Sequence, residues 1–196
     1  YYLASAGDPV KGREYIEKGL EEYELTEDVE IIVPAARDLI AAYNLEGKFS
    51  RVCEVAPKVI DFIEKTHTEH GLFGGFSNQY SIFHGFYGMS LGAIGSFADG
   101  ERILEKGLCF ARDVNNIASL SMIEMLYGIF FWHKGDPQNQ VKHWRSSIDY
   151  TEKTQETLFL GLRWAWLGWG YLNSGHTDTA LQCVEKGLKM HTDLGV

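Results

Sequence analysis

The tetrapeptide EKGL stands at 17–20, 105–108 and 185–188, and the agreement extends backwards from it. Segments 7–20 (GDPVKGREYIEKGL), 95–108 (GSFADGERILEKGL) and 175–188 (GHTDTALQCVEKGL) align without gaps. Each opens with glycine, carries Gly12, Gly100 or Ala180 five residues later, and sets Ile16, Leu104 or Val184 just before EKGL. Two weaker copies open at Gly47 and Gly135, with Val52 and Ala56, or Gln140 and Trp144, at the same small and apolar sites. The five opening glycines (Gly7, Gly47, Gly95, Gly135, Gly175) are spaced 40, 48, 40 and 40 residues apart. Self-similarity at a fixed interval of about 20–50 residues marks a chain built from stacked units, each unable to bury its apolar face alone.

The residues upstream of each glycine recur as well. Leu39, Tyr87, Tyr127 and Leu167 stand eight residues before it, and Tyr43, Leu91, Phe131 and Tyr171 four before it, which places both sets on one helical face. Seven before it, Gly88, Gly128 and Gly168 leave room for a neighbouring helix, with Ile40 as the exception. Each unit therefore reads as a helix A, a tight turn at the glycine and a helix B. The predicted helices are 9–23, 31–45, 48–65, 78–94, 97–113, 116–134, 137–153, 156–174 and 177–192. Pro57 falls inside a B helix, where it deletes a hydrogen bond and predicts a kink. Pro34 fits the first turn of a helix that starts near Val33. Gly19, Gly107 and Gly187 each cost a helix about 1 kcal/mol against alanine, so the glycine of EKGL is expected to pack closely, with Glu105 and Lys106 turned to solvent.

Composition removes several function classes. Lys and Arg total 18 against 27 Asp and Glu, a formal charge of -9, and no basic run exists to hold nucleic acid or an anionic membrane. Cys53, Cys109 and Cys183 are far apart and outside any C-x-x-C, so they are expected to be packing thiols of a reducing, cytoplasmic compartment rather than a disulfide frame or zinc site. The apolar stretches are too short to span a bilayer. The first residue is Tyr1 and the last three are Leu194, Gly195 and Val196, and the expectation is a piece of a longer protein.

The ladder Trp164, Leu167-Gly168, Tyr171, Ala180 resembles the tetratricopeptide repeat, whose consensus runs Trp, Leu-Gly, Tyr, Ala along two antiparallel helices. The resemblance is strong in the last unit, fair around 78–94 and 116–134, and weak over 31–65, where Ala36 and Ile40 replace Trp and Gly. The stretch LGAIGSFADGERILEKGLCFARDVNNIASLSMIEMLYGIFFWHKGD is also similar to long-unit repeats that follow the ATPase modules of bacterial class III adenylate/guanylate cyclase-like signalling proteins and related transcriptional activators. The resemblance implies an all-α, right-handed α-α superhelix of antiparallel helix pairs. It implies a regulatory, protein-binding arm with no catalytic residues, no cofactor and no metal. Its inner wall is made of A helices. Carried over position by position, the partner-binding groove comprises Arg37 and Asn44; Met89; Met125, Ile129, Trp132 and His133; and Trp169 and Asn173, with Ala41, Gly85, Gly92, Ala165, Leu172 between them. The partner is a peptide, a protein domain or the parent's own catalytic module. The tryptophans serve equally well as gap fillers between units, and that alternative stays open.

Rival readings rest on thinner patterns. The eight-residue excess lies around 66–78, THTEHGLFGGFSN, where His67, Glu69 and His70 with a remote His84 offer metal-ligand chemistry on a solvated loop. Gly71, Gly74 and Gly75 lack the lysine and preceding strand of a phosphate loop. The acidic run Glu21, Glu22, Glu24, Glu27, Asp28 reads as a solvated end of the array. A small-ligand sensor closing round an aromatic pocket is the second function kept, and a metal-dependent enzyme at the 66–78 insertion the third.

Overall fold

In the computed structural model, residues 28–154 and 159–194 are described, and the predicted helix 9–23 lies outside them. Among those residues are eight helices and no strand: α1 Val29–Leu45, α2 Phe49–Lys65, α3 Gln79–Ala93, α4 Phe97–Asp113, α5 Ile117–Lys134, α6 Pro137–Thr154, α7 Leu160–Asn173 and α8 Thr177–Leu194. Odd-numbered helices are of type A and even-numbered ones of type B. No helix among the described residues is long and apolar enough to cross a membrane.

One turn geometry makes every hairpin. Gly47, Gly95, Gly135 and Gly175 all take a positive φ, between 69° and 88°, and no atom approaches the place a Cβ would occupy. Backbone handedness, rather than crowding, therefore selects glycine there. The N–H of the residue after each glycine donates back to the carbonyl of Tyr43, Leu91, Phe131 or Tyr171, at 2.8–3.0 Å. The stripe residue four before the turn thus accepts the capping bond that reverses the chain. The B helices of the first and second described pairs, α2 and α4, end in the same way without glycine. His67 and Asn115 hold φ of 54° and 50°, and Thr68 and Asn116 donate to Ile63 and Ala111.

Small residues set how closely A and B lie within a pair. A Cβ on Gly88 would stand 2.6 Å from the carbonyl oxygen of Gly100 and 2.7 Å from Leu104 Cγ, and one on Gly107 2.9 Å from the carbonyl oxygen of Ser81. The glycine of EKGL is a packing residue, as expected. Its Glu and Lys neighbours do more than meet solvent: Lys106 Nζ lies 3.0 Å from Glu64 of the preceding unit, and Glu105 accepts from the Tyr127 hydroxyl of the next at 3.0 Å. The Tyr80 hydroxyl, donating at 2.5 Å, and then Lys106 hold the Glu64 carboxyl below the usual carboxylate range.

The interior divides into three apolar clusters that follow the stack. The first gathers Val33, Ile40, Tyr43, Ile63 and Phe83; the second Leu104, Leu108, Ile123, Leu126 and Phe130; the third Trp144, Ile148, Leu167 and Cys183. Between the second and third, His143 donates or accepts at 2.6 Å with Glu124 and stacks on Tyr127 and Phe131.

One proline expectation changes. Asp28 caps α1 by accepting from the Glu30 N–H at 2.9 Å, so the helix starts at Val29 and Pro34 falls in its second turn, past the first-turn site expected for it. Helix α2 continues through Pro57 as one helix from Phe49 to Lys65. The thiols divide as well: Cys183 is buried and Cys53 half-buried, whereas Cys109 is exposed and donates to Glu105 at 3.3 Å, so it is not a packing thiol.

Candidate functional site

The nine groove positions carried over from the repeat pattern fall into three environments. Arg37 is half-buried beside Asp38, with Nε 3.0 Å from its carboxylate, and Asn44 lends its carbonyl to the Gly47 turn. Met89 is closed off at 1% exposure, which corrects its assignment to an accessible wall. It sits where α3 and α5 stack, joined with Leu120 and Ile123 in the second cluster. Gly85 and Gly92 flank it on α3, and a Cβ on either would strike Leu126 or Phe130 of α5. In this pair of units the carried-over positions are the seam between A helices.

The next pair is built from larger side chains at the same register. Where α3 has Gly85, Met89 and Gly92, α5 has Met125, Ile129 and Trp132. These side chains hold α7 off, and the two helices meet through rings: Trp132 and Trp166 lie edge to face, centroids 5.6 Å apart. Trp166 also stacks on buried Trp144, with centroids 5.6 Å apart and planes 7° from parallel. Between α5 and α7 this leaves an open apolar hollow of about 290 Å³ lined by Trp132, Leu162, Ala165, Trp166 and Trp169. Trp132 is 39% exposed and Trp169 46%. Met125 and Ile129 are half-buried beneath it, packed against the third cluster. His133 turns its edge to Phe49, 5.8 Å away, and burial pushes its imidazole pKa down. Asn173 points elsewhere, its amide 3.5 Å from Gln140 Oε1.

Trp166 and Leu162 were absent from the expected groove. Their signal was present in GLRWAWLGW, since Leu162, Trp166 and Trp169 share one helical face at spacings of four and three. The carry-over assumed that consecutive A helices expose equivalent positions, and the bulk at Met125, Ile129 and Trp132 shifts the opening by one turn.

A larger cleft of about 680 Å³ lies between α6, α7 and α8, lined among others by Arg145, Asp149, Glu152, Trp164 and Lys186. Its cations are engaged by the wall: Lys186 Nζ sits 3.5 Å above the Trp164 ring, and Arg145 hydrogen-bonds the Tyr171 hydroxyl.

The 66–78 insertion is a strap with Thr66, His67, His70, Leu72, Gly74 and Phe76 exposed, as a solvated insertion requires, but it is pinned at Phe73 and Asn78. Phe73 is buried in the first cluster, and His70 lies against Phe110 with ring centroids 5.4 Å apart. Asn78 caps α3 by accepting from Ser81 N–H at 2.9 Å, its side-chain amide donates to the Glu69 carbonyl at 2.7 Å, and its backbone N–H donates to Ser119 Oγ at 2.7 Å. His67 is the left-handed residue closing α2, and His84 is buried within α3 with Nδ1 2.8 Å from the Tyr80 carbonyl. Among the described residues no group of three or more His, Cys, Asp or Glu is placed to hold a metal.

Comparison with known proteins yields no matching family model and no matching curated protein. Solved structures do match. BtubC (BKLC) from P. vanneervenii superposes over 98% of this chain and 77% of its own, with TM-score 0.70 and 13% identity. A Rap protein complexed with competence and sporulation factor superposes over 97% of this chain with TM-score 0.84 and 13% identity, and this chain spans 51% of its length. A putative kinesin light chain from Podosopora anserina with nearly identical TPR-like repeats covers 98% of this chain and 92% of its own, with TM-score 0.59 and 15% identity. At such identities the likeness speaks for architecture alone. The chain has the fold of a TPR-like solenoid, a right-handed superhelix of antiparallel helix pairs.

Proposed function

We propose that the chain is a protein-interaction module that takes one large apolar side chain of a peptide or partner helix into the hollow between α5 and α7. One observation carries the reading: three tryptophans, two of them more than a third exposed, converge on a single open depression. Exposed indoles grouped in a concave site are the residues that dominate binding energy at interfaces. The size of the hollow points the same way. At about 290 Å³ it lies below the roughly 300–1,000 Å³ usual for small-molecule pockets, and it is open, so it suits an anchoring side chain better than an enclosed metabolite. The Rap protein solved complexed with competence and sporulation factor supports a binding role for this architecture. The similarity to cyclase-like signalling repeats supplies a candidate partner, the parent's own catalytic module. The mechanism is recognition, with no catalytic group assigned.

The small-ligand reading keeps one observation in its favour, the cleft of about 680 Å³ between α6, α7 and α8. Its walls mix the charged Arg145, Asp149, Glu152 and Lys186 with the rings of Trp164 and Tyr171, and those two rings are covered by Lys186 and Arg145.

Panning a random peptide library displayed on phage tests the docking reading. Enriched peptides carry a large apolar residue, and Trp132→Ala weakens their binding by about thirtyfold or more, the loss of roughly 2 kcal/mol that marks an anchor position. Enriched peptides that bind the wild type and Trp132→Ala equally well contradict it.

A further inference from the structure

Counting from each turn glycine exposes a difference between the last unit and those before it. Nine and thirteen residues after the glycine, the B helices carry Ala56 and Ile60, Leu104 and Leu108, Trp144 and Ile148, and then Val184 and Leu188. The first three pairs are 0–8% exposed, whereas Val184 is 43% and Leu188 66% exposed. The A helices show the same contrast. Six and thirteen residues before the glycine, Met89 and Ile82 are 1% and 5% exposed, while Trp169 and Leu162 are both 46% exposed.

In every earlier unit the cover is the A helix of the unit that follows. Trp166 of α7 stacks on Trp144 of α6. Leu120 and Ile123 of α5 close over Leu104, Leu108 and Met89 in the second cluster. Tyr80 and Phe83 of α3 close over Ile60 and Ile63 in the first. On α7 and α8, Trp169 and Val184 help to line a bare apolar depression of about 250 Å³, with Ala165, Gly168, Leu172, Ala180 and Leu181 among others.

We infer that this face seats one more A-type helix, supplied in the same polypeptide by a further unit of the array downstream of α8. The packing of a B helix against the A helix that follows it is formed three times in the chain, by α2 with α3, α4 with α5 and α6 with α7, and its continuation onto α8 identifies the occupant. The seated helix is amphipathic, with large apolar side chains at the spacing of Leu120, Ile123 and Tyr127, the residues α5 presents to its neighbours. Repeat arrays need such a neighbour or a polar cap at each end, and a face holding Leu181, Val184 and Leu188 in the open is not polar. The inference shares Trp169 and Leu162 with the docking reading, so it is tested at Val184 and Leu188, which do not line the hollow at Trp132. It does give Trp169 a second role, as the stacking counterpart of Met89.

The experiment introduces a thiol by Leu188→Cys and measures its alkylation rate by mass spectrometry, with exposed Cys109 as the reference in the same molecule. Residues 1–196 alone and the full natural polypeptide that contains them are compared. The expected result is protection by about tenfold or more in the full polypeptide, independent of concentration. Equal labelling in both overturns the inference. So does protection of residues 1–196 that grows with their concentration, since the cover is then a second copy. As a check that needs no introduced thiol, Val184→Asp lowers the thermal midpoint of the full polypeptide and leaves that of residues 1–196 unchanged; a variant neutral in both contradicts the inference.

Discussion

Gly88→Ala is the sharpest test of how the pairs are packed, because two effects of opposite sign meet there. Alanine is the better helix former by about 0.8–1.0 kcal/mol, so an exposed helical glycine would gain stability from the change. Here the new Cβ would stand 2.6 Å from the Gly100 carbonyl oxygen, 2.7 Å from Leu104 Cγ and 2.8 Å from Leu104 N. Carbon atoms settle about 3.5–4.0 Å apart, so α3 and α4 must separate by roughly 1 Å. Two of the obstacles are backbone atoms, which cannot rotate away, and overpacking of this kind costs about 1–3 kcal/mol, with the rigid case at the upper end. The net effect is a loss of about 1–2 kcal/mol, or roughly 2–8 °C in thermal midpoint for a chain of this length. Circular dichroism at the helical minimum during heating and in urea reads both numbers. A Gly88→Ala protein as stable as the wild type, or more so, would refute the close A–B approach on which the register argument depends.

Three further outcomes follow from the same geometry. Pro57→Ala restores the hydrogen bond missing from the middle of α2 and is expected to raise stability by about 1–2 kcal/mol, less than the full proline penalty of roughly 3 because the unfolded chain also loosens; a urea midpoint that does not rise speaks against a regular helix at that point. Burial pushes the His84 pKa down to about 4, so the unfolded chain takes up this proton first, and the stability conferred by neutral His84 is present above about pH 6.5 and lost as pH falls towards 4, by up to roughly 3 kcal/mol. His84→Gln should flatten that part of the stability profile, and an unchanged slope would show the imidazole to be solvated. Asn78→Ala removes the α3 cap and the tie to the Glu69 carbonyl, with an expected loss of about 1–2 kcal/mol and faster proteolysis within 66–78; a strap that stays protected would mean Phe73 alone holds it.

The helices and their turns were legible because each left-handed turn glycine lets the residue after it donate to the carbonyl of the residue four before the glycine, and a repeated constraint leaves a repeated letter. Breaks in the pattern were harder to read. Proline at 34 suggested a late start for α1, whereas Asp28, read as one more charge in an acidic run, in fact caps the helix. The strap at 66–78 looked polar from its composition, yet its order comes from Phe73 and Asn78, two residues whose partners lie up to 41 positions away. The docking residues were half legible. Trp132 and Trp169 were named and line one hollow, but Met89, at the register of Trp169, vanished into a seam because its glycine neighbours let α5 approach. Whether an A-helix position faces a partner or a neighbouring helix depends on side-chain bulk in the adjacent unit, which a single repeat does not contain.

The account rests on the hollow between α5 and α7 being where a partner binds. The five tryptophans of the chain can be replaced by fluorotryptophan and followed by fluorine NMR as a library-selected peptide is added. The resonances of Trp132, Trp166 and Trp169 should shift together, while Trp164, beneath Lys186 in the other cleft, stays in place. A shift of Trp164 with those three unmoved would contradict the claim and transfer binding to the cleft between α6, α7 and α8.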